Sequence, residues 1–132
     1  MKIKTSELSG SNLDWAVAVS VGAHCQETGG ADLHTGKTWV VSGFRAMRWD
    51  DWTPSTDWSQ GGPLIERFDI TIMRIDGFAQ SEPLYQVMQS FHGLHLGGDR
   101  VMPVAPTRLI AACRAIVAAK LGDEVYVPEG LV

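Results

Sequence analysis

The chain has 132 residues, of which 45% are hydrophobic and 20% charged. That matches one ordinary domain spanning 1–132, with ample apolar material for a core and too little charge for a disordered chain. Eleven Lys and Arg against fifteen Asp and Glu give a net charge of −4, which lacks the basic excess of a phosphate-backbone binder and disfavours nucleic acid as a partner. No apolar run approaches the roughly 18 residues of a membrane span. Met1 to Glu7 carries charges but no apolar stretch or cleavage site of a secretory signal. The expectation is a cytoplasmic protein that meets no membrane. Cys25 and Cys113 lie far apart in no CxxC pattern, so two reduced thiols are expected, although counting alone leaves a pairing open.

Lys2 to Thr5 alternates like a short edge strand. Ser11-Asn12-Leu13-Asp14 has the form of a capping box with Asp in place of Glu or Gln, and Leu13, Ala16, Val17 and Ser20 continue as a helical stripe. Trp15 and Val19 lie on another face. Such a helix is buried on two sides or offers one face to a partner. Gly22 stops it. Gly22 to Lys37 shows no clean period and reads as a loop. Thr38 to Val41 reads as a strand, with Phe44 to Trp49 its hairpin partner across Ser42-Gly43. Asp50 to Pro63, ending in Gly61-Gly62-Pro63, reads as a loop. Phe68 to Ile75 and Leu84 to Met88 read as strands, and Phe91 to Pro106 as a punctuated loop. The clearest element is the last helix. Thr107 caps it, Leu109, Ile110, Cys113, Ile116, Val117 and Leu121 form an apolar arc, and Arg108, Ala112, Ala115 and Ala119 line the opposite side. Lys120 and Gly122 close it, and Asp123 to Val127 adds a final strand. Strands grouped between helices predict an α+β fold, a mostly antiparallel sheet with two main helices packed on it.

Residues 49–63 hold the densest chemistry. Three of the five tryptophans (Trp49, Trp52, Trp58) and three carboxylates (Asp50, Asp51, Asp57) fall within this stretch. Indoles stack on flat ligands, while Ser55, Thr56, Asp57 and Gln60 supply directional hydrogen bonds. Gly61 and Gly62 allow close approach of a ligand. The same residues also suit structural work: Asp57 as a cap, the indoles as core and Gly-Gly-Pro as a turn. Arg45 and Arg48 stand beside the tryptophans in sequence and Arg108 and Arg114 on the last helix; where such cations converge on indoles, an anionic ligand with an aromatic moiety fits, and Arg108 is the one assigned to the site. A metal is not expected. His92 and His95 in a glycine-rich loop, with His24, Cys25 and His34 elsewhere, form no full ligand-spacing pattern. Cys113, on the apolar arc, reads as a small buried hydrophobe. Neither a nucleophile elbow nor a phosphate-binding glycine loop is present, so no catalytic residue and no cofactor are assigned.

Three segments carry a resemblance. They are Lys2 to Leu8 followed by Leu13-Asp14-Trp15-Ala16-Val17-Ala18, then Thr53 to Arg67, then Pro106 to Arg114 continuing through Ala118 to Val125. Their arrangement, covering about half the chain, resembles the NinX-like family of small phage and prophage proteins of unknown function. The chain departs from the family pattern at Arg108, where proline is expected after the capping threonine; the cap itself is intact. The resemblance implies a phage-derived accessory protein acting inside a bacterial cell, and it brings no catalytic residues. The leading expectation is a non-enzymatic binder of a small, nucleotide-like ligand. Trp52, Ser55, Thr56, Asp57, Trp58, Gln60, Gly61, Gly62 and Arg108 would form its site, with Trp58 stacking and an arginine meeting any phosphate. The competing expectation is a module that binds a host protein through Trp15 and Val19 or the alanine face of the last helix. A small enzyme ranks third.

Overall fold

A computed structural model describes residues 2–22, 24–32, 35–40, 47–48, 51–76, 82–87 and 104–127. In chain order the elements are β1 (Lys2–Lys4), α1 (Gly10–Ser20), β2 (His24–Asp32), β3 (Thr35–Val40), β4 (Met47–Arg48), α2 (Trp58–Arg67), β5 (Ile72–Ile75), β6 (Leu84–Val87), β7 (Val104–Ala105), α3 (Arg108–Leu121) and β8 (Glu124–Tyr126), with a 3-10 turn at Thr5–Glu7. The fold is α+β, and every strand pairing among the described residues is antiparallel. The strands form three small ladders, β1-β8, β2-β3-β4 and β5-β6-β7, where one sheet was expected.

Helix α3 is the axis of the core. Thr107 Oγ1 accepts the Ile110 N–H at 3.1 Å, and Gly122 ends the helix at a φ of 94° that favours glycine. Leu109, Ala111, Ala112, Cys113, Ala115, Ile116, Val117 and Ala118 are all buried. On the side opposite the arc, Ala112 and Ala115 are thus inside and Ala119 half-buried, because α3 is covered by α1, α2 and strands β5 to β8. Arg114 reaches out of this packing to donate to the Leu8 and Val104 carbonyls, at 2.9 and 3.1 Å, and burial lowers its pKa. Burial also pushes the Cys113 thiol far up, with the nearby Asp14 charge adding to the effect; Cys113 is a free, buried and unreactive thiol.

The ends of the described chain meet in the β1-β8 ladder, where Ile3 pairs with Val125. Buried Thr5 extends the junction, its hydroxyl donating to the Gly122 carbonyl at 2.6 Å and its N–H to the Asp123 carbonyl at 2.8 Å. The exposed Lys2–Glu124 ion pair beside it, at 2.6 Å, contributes little.

Four expectations need correction. Helix α1 starts at Gly10, and Asp14 closes no capping box, because its carboxylate turns inward as a buried acceptor. The 22–37 stretch is largely paired: β2 and β3 form a hairpin with Cys25 opposite Trp39 and Glu27 opposite Lys37, and a register shift lies between Glu27 and Asp32. A ladder is held by backbone bonds, so it does not require a side-chain period. Thr38 and Trp39 pair with β4 as a hairpin partner, at Arg48 and Met47. Third, residues 58–67 form helix α2, where a loop running to Pro63 was expected. Fourth, Phe68 caps that helix, and the following strand begins only at Ile72. The Ile70 N–H returns to the Ile65 carbonyl at 2.9 Å and the Asp69 N–H to the Glu66 carbonyl at 3.2 Å, with Asp69 at a φ of 52°. This is a Schellman closure.

Candidate functional site

The site is built outward from Asp14. Its backbone carbonyl accepts the Trp52 indole N–H at 2.9 Å, and its carboxylate accepts the Ser55 N–H at 2.9 Å. The 52–55 segment is thereby pinned to α1 at two points. Burial pushes the Asp14 carboxyl above the ordinary range, and the Ser55 contacts pull it partly back. The chain then turns: the Thr53 carbonyl accepts the Thr56 and Asp57 N–H groups. The Gln60 amide braces the turn, accepting from Thr53 N–H at 2.7 Å and donating to the Asp51 carbonyl at 2.6 Å. Asp57 caps α2, its Oδ1 accepting the Ser59 N–H at 2.9 Å and the Ser59 hydroxyl at 2.7 Å.

Helix α2 runs through Gly61-Gly62-Pro63 because of what lies against it. A Cβ on Gly61 would stand 2.5 Å from Leu109 Cδ2 and 2.5 Å from the Pro54 carbonyl oxygen. Glycine lets α2 lie directly on the start of α3. Gly62, without a Cβ, also avoids the clash that disfavours a helical residue before proline. Pro63 lacks an N–H and so leaves the carbonyl of Ser59, an exposed residue, without its helical partner.

Between the 53–58 turn, the first turn of α3 and β6 lies a cavity of about 370 Å³. Ser55, Thr56 and Trp58 line one side, Thr107, Arg108, Leu109 and Ile110 the other, with Tyr85 and Pro106 completing it. Trp58 is 56% exposed. The Arg108 guanidinium lies over the Tyr85 ring, 4.5 Å from its centroid. Tyr85 faces Ala105 in the β6-β7 register.

Four of the nine residues expected at the site line this cavity: Ser55, Thr56, Trp58 and Arg108. The other five do not line it. Trp52 is fully buried, Asp57 caps α2, Gln60 braces the turn, Gly61 is buried against Leu109, and a Cβ added at Gly62 would meet Trp58 Cε3 at 3.9 Å. Sequence reasoning missed Tyr85, and it read Thr107 only as a cap. A helix N-cap is itself a signal, since it marks where unpaired N–H groups collect. Tyr85 carries no local signal; only the sheet brings it under Arg108. Among the described residues no group of His, Cys, Asp and Glu gathers in a metal-holding arrangement. His34, His92 and His95 lie outside the described residues, as do Arg45, Trp49 and Asp50, and of His24, Cys25 and Arg48 only the backbone is described.

The fold and cavity define a small α+β protein with room for one small molecule beside the start of its central helix. Over residues 4–120 the chain matches the family described as Bacteriophage P22, NinX, and it belongs to that family of phage proteins. No curated protein matches it.

Proposed function

We propose that this phage-derived protein is a non-enzymatic binder, acting in the cytoplasm of the bacterial host, that takes a small ligand with a flat face into the cavity beside Trp58. The observation that carries the reading is Trp58 itself. A large indole, 56% exposed, stands at the wall of a cavity whose volume of about 370 Å³ falls in the range of small-molecule sites. A ligand stacked on it would cover apolar surface that the folded chain leaves in water. Thr56 and Thr107 line the cavity, and their hydroxyls would supply direction. Among the described residues no helix is long and apolar enough to cross a membrane.

A thermal-shift screen against nucleotides, cyclic nucleotides and common sugars tests this reading. A ligand at ~100 times its Kd adds about 2.7 kcal/mol of apparent stability. The expected result is a saturable rise in Tm with a change in tryptophan fluorescence, both lost in Trp58→Ala. Hits that survive Trp58→Ala unchanged would overturn it. The competing reading, a module for a host protein, draws on α1, where Val19 is 37% exposed and Trp15 half-buried. It predicts that Val19→Asp abolishes co-purification of a host partner. On the alanine face of α3, Ala112 and Ala115 are buried and Ala119 is half-buried, which leaves that face little surface for such a role.

A further inference from the structure

We infer that the cavity selects a neutral flat ring with two adjacent hydrogen-bond acceptors on one edge, the edge of a 6-oxopurine base such as guanine; the inference rests on reading the cavity as a ligand site. Three elements each bring one part of that selection. Helix α2 brings Trp58, whose indole is 56% exposed at the wall. Strand β6 brings Tyr85, and α3 brings Arg108, whose guanidinium lies 4.5 Å from the centroid of the Tyr85 ring. Arg108 is exposed and Tyr85 half-buried, so the ring underpins a guanidinium that a ligand can still reach.

A guanidinium over a ring face is fixed in position while its N–H groups stay free to donate. Those of Arg108 meet no acceptor and no carboxylate among the described residues. Nor does an Asp or Glu among them line the cavity, so nothing there competes for the guanidinium or complements a cationic ligand. Arginine has five donors and no acceptor, so the ligand edge that faces it must accept. An exposed cation holds a simple anion only weakly, because water screens the pair. What the cavity offers beyond charge is apolar area: the Trp58 indole, with Pro106, Leu109 and Ile110 in the same lining. Affinity therefore comes from covering the indole, and Arg108 decides which ring is accepted.

A bicyclic ring covers an indole more fully than a single ring does. Among flat bicyclic rings, a 6-oxopurine carries O6 and N7 side by side, two acceptors that a guanidinium meets with two parallel N–H bonds. A 6-aminopurine has an amino donor in place of O6, which sets donor against donor. The N–H groups of the ring need an acceptor in turn. Thr56, in the same lining, supplies one: its hydroxyl donates to the Thr53 carbonyl at 3.5 Å, and its oxygen can still accept. A volume of about 370 Å³ suits one such unit, not a polymer.

Titration of the intact chain with guanosine, 7-deazaguanosine and adenosine, followed by the NMR signal of the Trp58 indole N–H, tests the selection. The expected result is a saturable shift with guanosine. Affinity should be about tenfold lower for adenosine, and severalfold lower for 7-deazaguanosine, which lacks the N7 acceptor. Arg108→Ala, at an exposed helix position that alanine suits, should bring the three nucleosides to equal affinity at unchanged Tm. Equal affinities in the wild-type chain, or a guanosine preference that survives Arg108→Ala, would overturn the inference. Benzoate binding more tightly than guanosine would overturn it too, by making Arg108 a carboxylate site. Failure of the selection and failure of the cavity reading are distinguishable. If the nucleosides bind without preference, or another flat ligand moves Trp58 in their place, only the selection falls. If no ligand of the screen moves Trp58, both fall.

Discussion

Adding one methyl group at Gly61 tests the packing that forms the cavity. The Cβ of Gly61→Ala would lie 2.5 Å from both Leu109 Cδ2 and the Pro54 carbonyl oxygen. Carbon contacts are ordinarily about 3.5–4.0 Å, so about 1 Å of space must be found on two sides at once. Leu109 is buried, and the Pro54 carbonyl is backbone beside a turn that Thr53 and Gln60 hold in place. The relief available is for α2 to move off α3. Overpacking costs about 1–3 kcal/mol, and two clashes, one with backbone, place this case near 3. Replacing a helical glycine by alanine returns about 1 kcal/mol. The net expectation is a loss of about 2 kcal/mol, read as a fall in Tm of roughly 8 °C at about 4 °C per kcal/mol. Urea unfolding followed by tryptophan fluorescence measures it. Gly62→Ala is the internal comparison. Its Cβ meets only Trp58 Cε3, at 3.9 Å, and its helix-propensity gain is offset by the following proline, so the change stays within about 1 kcal/mol. A Gly61→Ala protein as stable as wild type would refute the close contact of α2 with α3. Because α2 carries Trp58 and α3 carries Arg108, the same substitution should also weaken any ligand of the cavity.

Three further outcomes follow from the buried and capping groups. Asp14 titrates higher in the folded chain than in the unfolded one, so the folded state holds more protons and stability falls as pH rises from the ordinary carboxylate value of about 3.9 through the raised one. Asp14→Asn should flatten that part of the stability profile; an unchanged slope in urea titrations at successive pH values would mean the carboxylate is solvated. Asp57→Ala should cost about 1 kcal/mol through the lost cap of α2 while the cavity still binds its ligand, and loss of binding at full stability would return Asp57 to the site. Cys113 should resist a thiol reagent in the native protein and react once urea unfolds it, as peptide mapping can locate; native labelling would contradict its burial.

The elements that could be read in advance are those whose signals are local. Helix α3 announced itself by a capping threonine, apolar residues three and four apart and a closing glycine, all between Thr107 and Gly122. The edge strand at Lys2, strand β6 and the final strand at Glu124 were legible for the same reason. Gly61-Gly62-Pro63 misled because the strongest breaker signal in the sequence describes what a chain does when nothing packs against it. Here the side of α2 at Gly61 lies against Leu109, and glycine is the residue that lets it lie there.

For the site, composition drew attention to the right segment but could not divide its roles. Asp57, Trp52 and Trp58 differ little as letters in a polar-aromatic stretch. Their fates were decided by what each meets in the fold: the Asp14 carbonyl for Trp52, a helix start for Asp57, open space for Trp58. The sequence by itself determined the α+β class, the central helix with its cap, and the family. Only the tertiary structure brought Tyr85 under Arg108, closed Asp14 over Ser55 and set the start of α3 beside a cavity. Local periodicity and capping are written within a few residues of chain. Contacts between residues far apart in the chain are set by which surfaces exclude water together.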